Sequence, residues 1–135
     1  MYEPEEPDEH EDPRSEQKWR AELDHGDWYI GTIEAKPVGL LCITREDEAP
    51  TDECFLESLW VMPERRGKGI GFAMITGILD RLRADGIRTV FLWVLDGNPD
   101  AIGLYERAGF ALTGDHEPLP DDPDRFEEKM VKYLA

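Results

Sequence analysis

The chain contains the sequence Val61-Met62-Pro63-Glu64-Arg65-Arg66-Gly67-Lys68-Gly69-Ile70-Gly71, which lies between a strand-like run and a helix-like run. Three glycines and three cations fall within this short turn. The first backbone N–H groups of a helix lack an intrahelical partner, and the helix dipole adds partial positive charge there. Glycine also lets an anion approach the backbone closely. In a chain with a formal net charge of −16, this local excess of cations predicts a phosphate-binding turn.

Two familiar phosphate-binding loops match this turn poorly. A Walker A loop requires Ser or Thr after its lysine, whereas Lys68 is followed by Gly69. The dinucleotide-binding fingerprint requires the spacing G-x-G-x-x-G, whereas the glycines here are spaced G-x-G-x-G. A solvated basic turn at the start of a glycine-rich helix would also produce this pattern. The turn alone therefore leaves a phosphate site and an ordinary helix start as open alternatives.

A second block of sequence follows the strand-like run Thr89–Leu95. This block reads Asn98-Pro99-Asp100-Ala101 and then Leu104-Tyr105-Glu106-Arg107-Ala108-Gly109-Phe110. With both blocks in view, the chain resembles the GNAT superfamily of N-acetyltransferases. The first block matches the family's acetyl-CoA motif V-x-P-x-x-[RQ]-G-x-G-x-[GA], and the second matches its motif N-x-x-A-x-x-L-Y-x-x-x-G-F. The resemblance runs from about Trp28 to the C-terminus.

The resemblance implies an α/β (α+β) protein with the GNAT fold. That fold has a mixed, mostly antiparallel central sheet, helices on both faces and a splayed pair of parallel strands at the cofactor site. The patterning of the chain gives a matching order of elements. Strands are expected at residues 28–35, 38–44 and 54–62, with the first two joined at Lys36-Pro37. A helix is expected over Ile70–Ala84, where apolar residues recur at i, i+3, i+4 and i+7.

The C-terminal half is expected to continue with strands and one helix. A strand is expected at Thr89–Leu95, and a helix at residues 99–108 with Asn98 as its N-cap and Gly109 just past its end. A strand is expected to begin at Phe110, followed by a loop with three prolines at residues 113–125 and a final strand at 126–134. This order is the one that the resemblance implies.

The N-terminal residues differ in composition from the rest of the chain. Residues 1–13 hold seven acids and neither Lys nor Arg, so residues 1–14 are expected to be disordered and residues 15–135 to form the acetyltransferase domain. Residues 15–23 are expected to form a short helix. By resemblance, they match a segment that the family places after an initial strand and helix. Nothing in residues 1–14 has the pattern of a strand. Strand 28–35 would then be an unpaired edge, for which we expect self-association as a homodimer.

Composition excludes several classes of protein. The 135 residues are enough for one domain with a core of its own. No apolar run approaches the ~20 residues of a membrane-spanning helix, and no signal-peptide pattern is present. Cys42 and Cys54 match neither a disulfide framework nor a metal site, so we expect a cytoplasmic protein without a metal. The acidic balance disfavours nucleic acid as a partner and mildly favours cationic substrates such as amines.

The resemblance implies that acetyl-CoA is the co-substrate. The turn would bind its pyrophosphate through backbone N–H groups, with charge added by the cations. The residues that match this role are Arg65, Arg66, Gly67, Lys68, Gly69, Ile70 and Gly71. Backbone N–H groups at Leu59 and Val61 match the positions that polarise the thioester carbonyl in the family. Asn98 matches a position that contacts the pantetheine arm, although helix capping alone would also explain it.

Tyr105 is one of two expected catalytic residues. It matches the family tyrosine that contacts the cofactor and protonates the leaving thiolate, a role suited to a phenol. Tyr105 also lies on an apolar helical face with Ala101, Leu104 and Ala108. A purely structural core tyrosine would therefore show the same spacing.

Glu57 is the other expected catalytic residue, acting as the general base. In a regularly alternating strand it shares one face with Phe55, Leu59 and Val61, and by resemblance this face borders the acceptor site. A carboxylate paired with an arginine for structural reasons would explain Glu57 equally well. His116, in the expected loop before the last strand, is a weaker candidate for the base.

These observations favour an N-acetyltransferase that moves an acetyl group from acetyl-CoA to a primary amine by direct attack in a ternary complex. The amine would belong to a small molecule or to a protein. The alternative from another class is a catalytically inactive GNAT-like module that binds acyl-CoA. A binder of nucleotide phosphates is a third hypothesis, which requires that ATP compete for the turn.

Overall fold

The computed structural model describes residues 26–134 of the chain, so the expected disordered segment 1–14 and helix 15–23 lie outside the described residues. The elements in chain order are β1 Asp27–Ile33, β2 Lys36–Thr44, β3 Glu53–Val61, a 3-10 turn at Pro63–Arg65, α1 Ile70–Ala84, β4 Thr89–Leu95, α2 Pro99–Arg107, β5 Ala111–Leu119 and β6 Asp122–Tyr133. Neither α1 nor α2 is long and apolar enough to cross a lipid bilayer.

The strands form one mixed sheet in the order β1-β2-β3-β4-β6-β5. Every neighbouring pair is antiparallel except β3 and β4, which are parallel and are connected through α1. The expected mixed, mostly antiparallel sheet with a single parallel pair is therefore confirmed. A parallel pair requires a crossover connection, and α1 supplies it.

Both described helices pack against the same face of this sheet. Along β4, the buried residues Val90, Leu92 and Val94 alternate with half-buried ones. They share one core cluster with Ile75 of α1 and Leu104 of α2. Within residues 26–134, helices therefore cover one face of the sheet, as expected. The expectation of helices on the other face stays a prediction.

The turn between β1 and β2 lies two residues before the expected position. The turn residues are Glu34 and Ala35, whose backbone φ angles are 52° and 65°, and Pro37 lies inside β2 opposite Thr32. A two-residue hairpin turn needs left-handed backbone, which Asn and Gly adopt most readily. Because neither occurs here, the Lys36-Pro37 pair was the stronger turn signal in the sequence, and it was misleading.

The prediction of a loop at residues 113–125 is wrong. β5 and β6 instead form a long hairpin in which Leu119 pairs with Asp122 and Pro118 with Phe126. Almost all of β5 is exposed, so it shows no apolar alternation by which the sequence could signal a strand. β5 is also an edge strand of the described sheet, where a proline whose nitrogen faces outward costs no ladder hydrogen bond.

β1 forms the other edge of the sheet in the described part of the chain. Its apolar side chains Ile30 and Ile33 are 60% and 37% exposed. Exposed apolar side chains on an edge strand favour pairing with another strand. The expected self-association through β1 stays a prediction.

Replacing Leu92 by Ala tests the core. Leu92 is fully buried in β4, so we expect the free energy of unfolding to fall by about 2–5 kcal/mol. Leu112→Ala is the matched control, because Leu112 in β5 is 46% exposed and should cost less than about 1 kcal/mol. Urea denaturation followed by circular dichroism measures both. Equal losses in the two variants would contradict the assigned core.

Candidate active site

A gap opens between the two parallel strands. β3 and β4 pair only from Glu53 to Phe55, opposite Thr89 to Phe91. β3 continues to Val61 and β4 to Leu95, and these later residues have no ladder partner across the gap. The expected splayed parallel pair is therefore present.

A β-bulge at Glu57 accompanies this separation. Along β2 and β3, Cys42 pairs with Ser58 and the next residue, Ile43, pairs with Leu56. Glu57 is thus an extra residue in β3 with no partner in β2. A bulge bends its strand and increases its twist, and this one lies just beyond the last residue that pairs with β4. We infer that the bulge steers β3 away from β4.

The bulge also overturns the expected face of Glu57. Regular alternation would place Phe55, Leu59 and Val61 on one face. In the structure, Leu56 and Leu59 are each 1% exposed in the same core, because the extra residue resets the alternation. Phe55 is half-buried on the opposite face. The predicted face was therefore wrong, although Glu57 itself borders the gap.

Backbone N–H groups of β3 point into the gap. The N–H of Met62 donates to the carbonyl of Val38 in β2, at 2.9 Å. Because N–H groups alternate between the two edges of a strand, those of Val61 and Leu59 point away from β2 and toward β4. With β4 splayed, they face the gap without a ladder partner among the described residues. These are the donors expected to polarise a carbonyl.

The glycine-rich turn lies at the open end of this gap. Gly69 caps α1 with a φ of 80° and without a side-chain hydrogen bond, and no acid occupies the first turn of the helix. Gly67 has a φ of 76°. A Cβ added at Gly67 or Gly69 would meet no atom within 4 Å, so space lies over both residues. The first N–H groups of α1 are therefore available to an anion.

A cleft of about 530 Å³ runs from this turn to α2. Its lining comprises Val61, Arg65, Arg66, Gly67, Gly69, Ile70, Gly71, Phe72, Pro99, Asp100, Gly103, Leu104 and Arg107. The sequence prediction missed Arg107. The spacing of Asp100, Gly103 and Arg107 marks one side of α2 and could have identified it. Lys68, which was expected among the binding residues, is exposed and does not line the cleft.

Arg66 joins the turn to the end of β3. Its Nε donates to the carbonyl of Val61 at 2.8 Å, and its guanidinium lies 6.0 Å from the centre of the Trp60 ring. Its Nη2 is buried without a hydrogen-bond partner in the described part of the chain. A buried hydrogen-bond donor that is left unsatisfied is unfavourable, and an anionic ligand in the adjacent cleft would supply the acceptor.

Asn98 begins the α2 motif, and Tyr105 lies within the helix. Tyr105 is fully buried, with its ring edge-on to Phe110 at 6.0 Å between centroids, and it does not line the cleft. The Oδ1 of Asn98 accepts a hydrogen bond from the N–H of Ala101 at 3.3 Å. Asn98 is therefore the expected N-cap, and its amide group remains available to a ligand.

Glu57 lies on the far side of the gap from the helices. The hydroxyl of Thr44 donates to Glu57 Oε2 at 3.3 Å. None of the ion pairs within residues 26–134 involves Glu57, so the expected alternative of an arginine partner finds no support there. Glu57 lines a second pocket of about 550 Å³ with Trp28, Cys42, Thr44, Arg45, Glu46, Asp47 and Ser58. His116, on β5, lines neither pocket.

The chemistry of the two cysteines does not favour a thiol nucleophile. Cys42 and Cys54 are both buried. Burial raises the pKa of the Cys54 thiol to about 11, although nearby Arg45 opposes the shift. At neutral pH this thiol stays protonated, and a protonated thiol is a poor nucleophile. In residues 26–134, no group of His, Cys, Asp and Glu could hold a metal ion.

Sequence comparisons identify related proteins. The profile of the acetyltransferase (GNAT) family matches residues 1–110. An uncharacterised N-acetyltransferase of Methanocaldococcus jannaschii is 31% identical over 96 residues, covering 69% of this chain and 42% of that protein. The L-methionine sulfoximine/L-methionine sulfone acetyltransferase of Pseudomonas paraeruginosa is 35% identical over 57 residues, covering 42% of this chain and 33% of that protein. The chain thus spans less than half the length of these two relatives.

Structural comparison agrees with the fold. A crystal structure of a Bacillus subtilis acetyltransferase in complex with CoA superposes with a TM-score of 0.74. The match covers 91% of this chain and 86% of that one, at 15% sequence identity. At this identity, the likeness establishes a shared fold.

Two glycine-to-alanine substitutions, one at the N-cap of α1 and one inside the helix, test the backbone of the turn. Gly69→Ala places a side chain at a φ of 80°, so we expect it to lower the free energy of unfolding by about 1–2 kcal/mol. Gly77→Ala, in the interior of the same helix and without a close neighbour, should raise it by up to about 1 kcal/mol. Thermal or urea unfolding gives both values. Stabilisation by both substitutions would show that Gly69 is not left-handed.

Proposed function

The chain belongs to the GNAT family of acetyltransferases, and from this premise we propose that it transfers an acetyl group from acetyl-CoA to a primary amine. The observation that carries the proposal is the coincidence of three features along one path. The glycine-rich turn lies at one end, the gap with its inward-pointing N–H groups lies in the middle, and the Glu57 carboxylate lies on the far side. A molecule with a pyrophosphate, a long arm and a terminal thioester matches that order.

In this proposal the turn and α2 together bind the pyrophosphate. The first N–H groups of α1, Arg65 and the unfilled Nη2 of Arg66 would meet it from one wall of the cleft, and Arg107 from the other. Lys68 would add charge from its exposed position. The arm would enter the gap, so that the N–H groups of Leu59 and Val61 stand beside the thioester carbonyl. A backbone donor of this kind can lower the barrier by about 3 kcal/mol.

The proposed transfer is a direct one. A bond forms between the amine nitrogen and the acetyl carbon while the carbon–sulfur bond breaks, and the electron pair of that bond leaves with sulfur. Glu57, directly or through water, accepts the proton that the amine must lose. Tyr105 donates a proton to the thiolate and is restored from solvent. The protonated thiol of Cys54 agrees with a route without an acyl-enzyme.

The acceptor in this proposal is the primary amine of a small molecule or of a protein. The Pseudomonas relative is named for an acceptor of the amino-acid type, which supports a small-molecule amine. The pocket beside Glu57 is lined by both signs of charge, including Arg45, Glu46 and Asp47. Such a lining suits a compact polar amine.

The competing function is an acyl-CoA-binding module without turnover. The full burial of Tyr105, which keeps it out of the cleft lining, is the observation that favours this competitor. Both functions require the cleft and the gap, and they differ only in whether the acetyl group is transferred. Turnover with an intact acceptor therefore decides between them.

Tyr105→Phe tests the proposed acid. Loss of the hydroxyl should lower kcat by about 10²–10⁴-fold while acetyl-CoA affinity stays within about twofold, because the ring still fills its core position. Tyr133→Phe, at a residue that is 75% exposed, is the control and should leave both unchanged. Steady-state release of the CoA thiol and calorimetric binding provide the two measurements. An unchanged kcat in Tyr105→Phe would remove Tyr105 from the mechanism.

Glu57→Gln tests the proposed base in the same assay. The neutral amide cannot accept the proton, so kcat should fall by about 10²-fold or more. Glu46→Gln removes an equal charge from the same pocket and serves as the control, with an expected change of less than about threefold. Equal effects of the two substitutions would mean that Glu57 contributes only to the local potential.

A further inference from the structure

The side chain of Lys129 lies in an aromatic cage on the face of the sheet opposite the helices. Its ammonium is 4.4 Å from the ring centre of Phe91, 5.7 Å from that of Phe55 and 5.8 Å from that of Trp93. Lys129 is half-buried in β6, opposite Trp93 of β4. The negative faces of aromatic rings attract a cation.

The cage stands where the gap between β3 and β4 begins. Phe55 and Phe91 form the last pair of the parallel ladder, and both strands continue unpaired beyond them. Glu57, at the bulge, is two residues further along β3. The ammonium of Lys129 and the carboxylate of Glu57 therefore flank the start of the gap, on the side from which an acceptor would approach the thioester.

The ammonium has unused hydrogen-bonding capacity. It carries three N–H donors, and aromatic rings are weak acceptors. Within residues 26–134, no hydrogen bond or ion pair involves Lys129. Glu127 lies on the same face of β6, opposite Leu95, and it does not form an ion pair with Lys129. A half-buried ammonium with unused N–H donors can bind an anionic oxygen of a ligand.

The same contacts argue against Lys129 as an acetyl acceptor. The faces of the three rings attract the positive charge of the ammonium. The cage therefore suits a residue that binds through its charge. It does not suit a nucleophile.

On the basis of the proposed function, we propose that Lys129 is a specificity-determining residue that selects acceptors with a carboxylate next to the amine. The acceptor class is therefore amino acids, in preference to simple amines, polyamines or amides. In this arrangement Glu57 meets the amine and Lys129 meets the carboxylate, and the apolar part of the acceptor lies against Phe55 and Trp93. A carboxylate bound to an ammonium forms a charge-assisted hydrogen bond, which a neutral amide cannot match.

A paired-substrate assay tests the proposal. L-Alanine, L-leucine and L-phenylalanine are each compared with their primary amides, which keep the amine group and the side chain and carry a neutral amide in place of the carboxylate. The parent chain should prefer the acids by about tenfold or more in kcat/KM. Lys129→Met should bring the ratio close to one by raising the KM of the acids, while Lys129→Arg should retain most of it. The KM for acetyl-CoA should not change.

Lys132→Met is the matched control. Lys132 lies on the same strand but pairs with Val90, whose side chain faces the helices, so its loss should leave the acid-to-amide ratio unchanged. An equal preference for amides in the parent chain would overturn the proposal. A preference for acids that survives Lys129→Met would overturn it as well.

A binding measurement separates this proposal from the proposed function. With CoA present, tryptophan fluorescence reports the binding of N-acetyl-L-leucine and of N-acetyl-L-leucinamide to the parent chain and to Lys129→Met. If no amine is turned over, the proposed function fails, and the ratio of the affinities for the two products still decides the role of Lys129. Tighter binding of the acid by about tenfold, lost in Lys129→Met, supports the role. Equal binding of the two products contradicts it.

Discussion

The separation of β3 from β4 beyond Phe55 and Phe91 is the constraint on which the rest of the site depends. A parallel pair that continued to Val61 would use the N–H groups of Leu59 and Val61 in its own ladder. The extra residue at Glu57 bends β3 where the pairing stops, and those donors then face an open gap. Backbone donors fixed in this way need no reorganisation when charge develops on a carbonyl.

Arg66 links this gap to the glycine-rich turn. Its hydrogen bond to Val61 fixes the end of β3, and its remaining buried donor faces the cleft toward α2. Binding of an anion at the turn would therefore stiffen the strand that carries the N–H groups. On the other face of the sheet, Glu57 and Lys129 present opposite charges at the start of the gap. In the proposed mechanism, the sheet thus separates a cofactor side from an acceptor side.

Local patterns in the sequence predicted the parts of the fold that local forces determine. α1 and β4 have the bounds that apolar periodicity indicates, because each buries one regular face against the core. The bulge at Glu57 could not be predicted, since no glycine or proline marks it and it depends on pairing with β2. The hairpin of β5 and β6 could not be predicted either, because its exposed strand lacks apolar alternation. The Lys129 cage could not be predicted because it joins three strands that are distant in sequence.

Calorimetric titration with acetyl-CoA and with ADP tests the central claim most directly. ADP carries the pyrophosphate and lacks the arm, so it reports the turn alone. The account predicts one acetyl-CoA per chain with micromolar affinity, ADP weaker by about tenfold or more, and loss of both in Gly69→Asp. Equal affinity for the two ligands would contradict the role of the gap, and absence of acetyl-CoA binding would contradict the acetyltransferase account as a whole.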